Sequence, residues 1–248
     1  MINVAIDAAK QGGQLAYSYF KKNIKVSYKA DNSPVTIADQ STEKLIRSII
    51  SKNFPDHGII GEELPPTNPK AKYQWIIDPI DGTKDFLRQT PFWATLIALL
   101  EDGKPQIGVI YYPYSNELFS AQKNKGAYLN GKQVHVSKIS KLSDSYISLD
   151  TLKYFKRHTK TENVLELMEK IYSQRGMGTF SYNLLLKGNI DAFISAHGFI
   201  HDYAAGVVLI EEAGGKFSNF KGEFSLISDN AVYSNGILHD EVLSILNS

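Results

Sequence analysis

The run Trp75-Ile76-Ile77-Asp78-Pro79-Ile80-Asp81-Gly82-Thr83 constrains this chain more than any other stretch. Trp-Ile-Ile has the composition of a buried strand. Pro79 has no N–H to give to a ladder and cannot continue a central strand, so Asp78 is expected where that strand ends. Asp81 reads as the N-cap of a following helix, and Gly82 permits close backbone approach. A strand end feeding a helix N-terminus presents backbone N–H groups that can receive an anion. The same turn carries two carboxylates three residues apart, able to face one point. Two such charges about 4 Å apart repel by about 4 kcal/mol at an effective dielectric of roughly 20. Unless both acids are only turn and cap residues, a cation should hold them, and hard divalent metals choose oxygen ligands.

Three further segments place acids where elements should begin or end. Glu62, in Gly61-Glu62-Glu63, follows the apolar pair Ile59-Ile60. Asp202, in His201-Asp202-Tyr203-Ala204-Ala205-Gly206, opens a helix of small residues that Gly214-Gly215 closes. Asp39, in Thr36-Ile37-Ala38-Asp39, is placed to cap the helix leading to Leu45. Taken singly, each has a plain reading as a solvated strand end or a cap.

Around these segments the periodicity predicts a layered α/β chain. Val4, Ala8, Leu15 and Tyr19 suggest a leading amphipathic helix weakened by Gly12-Gly13. A strand and loop over 26–37 precede a second helix with Leu45, Ile46, Ile49 and Ile50 on one face. Turn residues Phe54-Pro55-Asp56-His57-Gly58 end it. Strands follow at 75–77, 94–100, 106–112 and 118–119, and Asn130-Gly131 marks a hairpin between Tyr128 and Val134. Beyond about residue 141 the pattern alternates. Helices are expected near 162–173, 181–187 and 203–213, a strand over 190–195, short strands, and a last helix from Asp240. A β-rich part over 1–140 and an alternating part over 141–248 should pack tightly as one unit.

Composition removes several functions. The 27 basic and 26 acidic side chains are spread without a basic stripe, so no nucleic-acid partner is expected. The absence of cysteine removes thiol catalysis and thiolate metal sites. No apolar run approaches the roughly 18 residues of a membrane span, and the first residues lack signal-peptide character. A cytoplasmic protein is expected. Two glycine-bearing segments mislead: Gly126 to Lys132 lacks the Ser/Thr of a P-loop, and Gly176-Met177-Gly178 lacks a third glycine.

Glu62 in Gly-Glu-Glu, the run Trp75 to Thr83, and Asp202-Tyr-Ala-Ala-Gly206 followed by Glu212-Ala-Gly-Gly215 resemble the inositol monophosphatase superfamily, in its order and approximate spacing. The resemblance implies the fold shared with fructose-1,6-bisphosphatases, in which layers of helices and sheets alternate. It implies a Mg²⁺-dependent, lithium-sensitive phosphomonoesterase acting on a small phosphorylated metabolite, with two or three ions per site, and a homodimer. By that similarity Glu62, Asp78 and the carbonyl of Ile80 would hold one ion. Asp78, Asp81 and Asp202 would hold a second, and a third would sit beside Glu62. The N–H groups of Gly82 and Thr83 would receive the phosphate. Asp39 and Thr83, with Glu62 in the same catalytic set, would orient and deprotonate the attacking water.

The substrate side departs from the inositol branch. Ser195 stands where that branch commonly has a glutamate, and His201 where it has a tryptophan. Arg175-Gly-Met-Gly178-Thr179 matches a loop that borders the substrate in bacterial relatives. Phe92-Trp-Ala-Thr-Leu-Ile97 and Asn235-Gly-Ile-Leu-His-Asp240 are similar to histidinol-phosphate phosphatases. Lys29-Ala-Asp-Asn-Ser-Pro-Val-Thr36 is similar to both these and the 3′-phosphoadenosine-5′-phosphate phosphatases. The order of expectation is inositol or sugar monophosphate, then histidinol phosphate, then the nucleoside bisphosphate. A non-enzymatic regulatory protein on the same fold is the further alternative.

Overall fold

Glycine lets the two leading helices lie close to their neighbours. In the computed structural model, which describes residues 1–22, 26–28 and 34–248, α1 (Ile2–Tyr19) leads into a small antiparallel pair, β1 (Val26–Tyr28) and β2 (Pro34–Thr36), and then α2 (Ile37–Asn53). The expected loop Lys29 to Ser33 lies outside the described residues. A Cβ on Gly12 would lie 2.6 Å from Ile46 Cγ1, and one on Gly13 2.6 Å from Tyr111 Cδ1. The pair expected to weaken the first helix therefore lies where it meets the second helix and the sheet below with no room for a side chain.

The first sheet runs in sequence order: β3 (Gly58–Gly61), β4 (Tyr73–Asp81), β5 (Ala94–Glu101), β6 (Lys104–Tyr112), β7 (Glu117–Gln122), β8 (Ala127–Leu129) and β9 (Lys132–Val134). Only β3 and β4 pair in parallel; the remainder are antiparallel. Asn130 and Gly131, with φ of 48° and 82°, make the expected hairpin turn. A short helix, α3 (Thr83–Leu87), separates β4 from β5.

Pro79 does not end its strand. β4 continues to Asp81, and its pairing with β5 jumps from Asp78↔Leu96 to Asp81↔Ala94, a bulge with one extra residue on β4. The missing N–H of proline falls inside the bulge, where no ladder donor is needed, and the Thr95 hydroxyl donates to its carbonyl at 2.8 Å. The bulge, and not a strand end, turns the two aspartates toward one point.

The second sheet comprises β10 (Tyr146–Leu149), β11 (Ser173–Arg175), β12 (Ala192–Ser195), β13 (Lys216–Ser218) and β14 (Ala231–Ser234), in the order β11-β10-β12-β14-β13. β10 pairs in parallel with both neighbours, and β14 is antiparallel to both of its own. The helices of this half are α4 (Leu152–Arg157), α5 (Thr161–Lys170), α6 (Phe180–Leu186), α7 (Ile200–Glu212) and α8 (His239–Leu246). The helix expected near 162–173 stops at Lys170, and β11 takes up residues beyond it.

Every residue of α7 from Tyr203 to Ile210 is buried, as befits a helix covered on both sides. It lies between the sheets, against β4 to β7 on one face and β13 and β14 on the other. A Cβ on Gly108 would come within 2.4 Å of the Ala205 carbonyl oxygen, so glycine sets how closely α7 approaches β6. One apolar cluster joins α1 and α2 to the first sheet, a second runs from that sheet through α6 and α7 to β12 and β14, and a third joins the second sheet to α5 and α8. The result is a layered α/β fold of alternating helices and sheets, as expected.

Candidate active site

The layers bring four separated acids to one place. Glu62 follows the last residue of β3, and its N–H donates to the Ile77 carbonyl at 3.1 Å, which ties it to β4. Asp78 and Asp81 flank the bulge. Asp202 sits in the first turn of α7, where Oδ2 accepts the Phe199 N–H at 2.5 Å. The helix begins at Ile200, so Asp202 closes its N-terminus from within the first turn and is not the N-cap. Oxygens of Asp78, Asp81 and Asp202 lie within 4.8 Å of one another. A second set within the same limit comprises Glu62, Asp78 and His201, so Asp78 belongs to both.

Charge crowding is the main property of this cage. Burial, then the charges of Glu62, Asp81, Asp202 and Asp39, push the Asp78 carboxyl well above the ordinary carboxylate range. Burial and Asp202 do the same to Asp81, against an opposing hydrogen bond from Thr179. Burial raises Asp202 to about 7, although the Phe199 N–H favours its ionised form. Acids this close keep their protons unless a cation compensates them. A donor set of carboxylate oxygens with one imidazole therefore fits divalent metal ions.

Asp39 adds an independent sign. It is fully buried, and Oδ2 accepts both the N–H and the hydroxyl of Thr36, at 2.7 and 2.6 Å. Thr36 is the N-cap of α2, and Asp39 completes the capping box from the third helical position, so the expected cap lies three residues earlier. Asp39 Oδ1 has no hydrogen-bond partner. Burial, with a smaller push from Glu62, raises this carboxyl too.

The remaining predicted residues take distinct positions. Gly82 holds the left-handed conformation that starts α3, and the Thr83 hydroxyl donates to the Ile80 carbonyl at 3.2 Å. Thr179 precedes α6 and is nearly buried; its carbonyl accepts the Tyr112 hydroxyl at 2.8 Å while its side chain reaches Asp81. Gly178 before it has φ of 48°. Ser195 ends β12. Arg175 ends β11, exposed, with its guanidinium on Ser173 Oγ, the Gln174 carbonyl and the Tyr146 ring. Among the described residues no ion pair joins Arg175 to the cage.

Two acids escaped motif reading. Asp150 follows β10, and its Oδ2 accepts the Ser195 hydroxyl and the Ala196 N–H, both at 2.9 Å. Its charge is felt at Asp81 and Asp202. Nothing local marks it; only the pairing of β10 with β12 puts it beside Ser195. Glu43 is fully buried on α2 and bonds the backbone just past Glu62. A signal existed there, because Glu43 lies at helical spacing from Ile46 and Ile50 on the buried face. At the rim, rings follow one another: Tyr154 to His197 at 4.9 Å, His197 to Phe199 at 5.6 Å, and Phe199 to His201 at 5.5 Å.

With this geometry in view, comparison with known proteins assigns the chain. The inositol monophosphatase family profile matches residues 1–248. The chain belongs to the inositol monophosphatase family. It is a phosphatase, like its named relatives. A histidinol-phosphatase of Mycobacterium tuberculosis is 35% identical over 232 residues, spanning 91% of this chain and 89% of that protein. A fructose-1,6-bisphosphatase/inositol-1-monophosphatase of Thermotoga maritima is 34% identical over 217 residues, spanning 86% and 82%. Among solved structures, the extragenic suppressor protein suhB of Bartonella henselae superposes with a TM-score of 0.92 at 29% identity, over 99% of this chain and 98% of that one. No helix among the described residues of this family member is long and apolar enough to cross a membrane.

Proposed function

We propose that the cage is the reaction centre of a Mg²⁺-dependent phosphomonoesterase, with Glu62, Asp78, the Ile80 carbonyl, Asp81 and Asp202 holding two or three ions. The observation that carries this is the shared position of Asp78 in two clusters of ligand-capable side chains, each within 4.8 Å. When bound, such ions neutralise the phosphate and make water more acidic. The protein's own groups then divide the work. The N–H groups of Gly82 and Thr83, at the start of α3, receive phosphate oxygens. Asp39 accepts a proton from the attacking water at Oδ1, since Thr36 already occupies Oδ2. Thr83 and Glu62 orient that water. Inhibition by lithium, a homodimer and a cytoplasmic location belong to the same proposal.

The leaving group would lie against Arg175, Gly178, Thr179, Ser195 and His201. An inositol or related sugar monophosphate is the first reading. Histidinol phosphate is a second, favoured by the ring series Tyr154, His197, Phe199 and His201 at the rim, against which a planar heterocycle can stack. Relatives carrying the histidinol-phosphatase name reach 34–35% identity. The test is Mg²⁺-dependent phosphate release from inositol 1-phosphate, fructose 1,6-bisphosphate, histidinol phosphate and 3′-phosphoadenosine 5′-phosphate. A preference of about tenfold in kcat/KM, about 1.4 kcal/mol in transition-state binding, decides between the readings. Release from none of the four would contradict the proposal.

A further inference from the structure

We infer that His201 is a metal ligand, so that the Glu62–Asp78 side of the cage binds transition-metal dications such as Mn²⁺ through a mixed nitrogen and oxygen set. The inference rests on the reading of the cage as a metal centre and adds to it a ligand of different chemistry.

The geometry carries the argument. A ring nitrogen of His201 and carboxylate oxygens of Glu62 and Asp78 lie within 4.8 Å of one another. Bonds of about 2.1–2.2 Å to a six-coordinate ion put adjacent donors roughly 3 Å apart and opposite donors roughly 4.3 Å apart, so this spacing suits one ion. His201 and Asp202 are consecutive in the first turn of α7, yet His201 Nε2 lies only 3.8 Å from Asp202 Oδ1. One short stretch of helix thus supplies an imidazole to one cluster and a carboxylate to the other, with Asp78 common to both.

Two features support the assignment. The Phe199 ring stacks on the imidazole, centroids 5.5 Å apart with 28° between planes, and so restrains its orientation. A fixed ring plane helps a ligating histidine keep its lone pair on the ion, beside the hydrogen bond that its other nitrogen ordinarily makes. Second, the buried Asp39 Oδ1 has no hydrogen-bond donor, and the Asp39 charge acts on Asp78 while that of Glu62 acts on Asp39. A buried carboxyl oxygen left without a donor calls for a water or a cation beside it.

The chemistry distinguishes this site from an all-oxygen one. Carboxylates serve Mg²⁺ and Mn²⁺ alike, whereas an imidazole adds most for transition-metal ions. Exchanging His201 should therefore weaken Mn²⁺ binding more than Mg²⁺ binding.

The deciding experiment is pulsed electron paramagnetic resonance on the full chain loaded with Mn²⁺. The wild type should show nitrogen-14 modulation from a directly bound imidazole. His201→Phe, which keeps a ring against Phe199, should lose it and bind Mn²⁺ about tenfold more weakly. His201→Asn provides a second substitution, and protein labelled with ¹⁵N-histidine provides the same readout without any substitution. Modulation missing from the Mn²⁺-loaded wild type, or persisting in a folded His201 variant, would overturn the inference. In either case hydrolysis with Mg²⁺ would leave the phosphatase reading standing. Failure of the wild type to bind any divalent ion would remove both.

Discussion

Glu43 Oε2 accepts the backbone N–H of Glu63 at 2.7 Å, one residue past the candidate ligand Glu62. Glu43 Oε1 takes the Leu64 N–H at 3.3 Å and the Arg47 guanidinium at 2.7 Å. Arg47 in turn donates to the Leu64 carbonyl at 2.9 Å and to Thr67 Oγ1 at 3.2 Å. Two side chains of α2 thus fix the segment leaving β3. Gly61 makes room, since a Cβ there would lie 2.0 Å from Glu43 Oε1.

Removing the clamp should cost both stability and metal affinity. Glu43→Ala leaves Arg47 without its buried partner, and a loss of about 3 kcal/mol is expected in urea unfolding. Gly61→Ala should act in the same direction by displacing Glu43. Calorimetric titration with Mg²⁺ should show weaker binding in both variants. Unchanged affinity in a folded Glu43→Ala protein would show that the clamp does not position Glu62.

The cage should make the metal-free fold less stable as pH rises. Asp39, Asp78, Asp81 and Asp202 all have carboxyls raised above the ordinary value of 3.8, Asp202 to about 7. Between 3.8 and the raised values the folded state holds more protons than the unfolded state, so stability falls with increasing pH. Thermal melts in a chelator from pH 4 to pH 8 should show this loss. Asp202→Asn should show a smaller one, and saturating Mg²⁺ should reverse most of it near pH 7.5.

His239 should act with the opposite sign. Its buried ring lies between Ser218 Oγ at 2.9 Å and Ser234 Oγ at 2.8 Å, and burial lowers its pKa to about 4. A neutral imidazole can donate to one serine and accept from the other, which a charged ring cannot do. Its contribution is complete above 6.5 and is lost as pH falls toward 4, roughly 3 kcal/mol in all. His239→Gln should be less stable at pH 7.5 but lack this loss, as read from urea midpoints at pH 7.5 and 4.5.

The metal-capable acids were legible because each sits in a short local pattern: Gly-Glu-Glu after an apolar pair, Asp-Pro-Ile-Asp-Gly-Thr, and Asp-Tyr-Ala-Ala-Gly. The layered fold was legible from the change in periodicity near residue 141. What Pro79 does was not, because proline is excluded from a ladder but not from a bulge, and only the β5 pairing places the bulge. Asp150 was not legible either. β10 is four residues long, and its neighbours in the sheet come from beyond residue 170. Glu43 was legible in principle, as an acid at helical spacing from Ile46 and Ile50 on the buried face, and its partner loop is twenty residues away. The caps of α2 and α7 were placed three residues late, because Thr36 and Phe199 occupy the N-cap positions, and that of α3 one residue early, at Asp81, because left-handed Gly82 is its N-cap.

The most direct test is phosphate release by Asp81→Asn with Mg²⁺, alongside its melting temperature without divalent ions. The substitution removes one charge from the cage at nearly constant shape. The metal-free variant should melt at or above the wild-type temperature, because the repulsion falls, while its turnover drops about a thousandfold. A folded Asp81→Asn protein that hydrolyses its ester at a rate near that of the wild type would contradict the cage as the reaction centre.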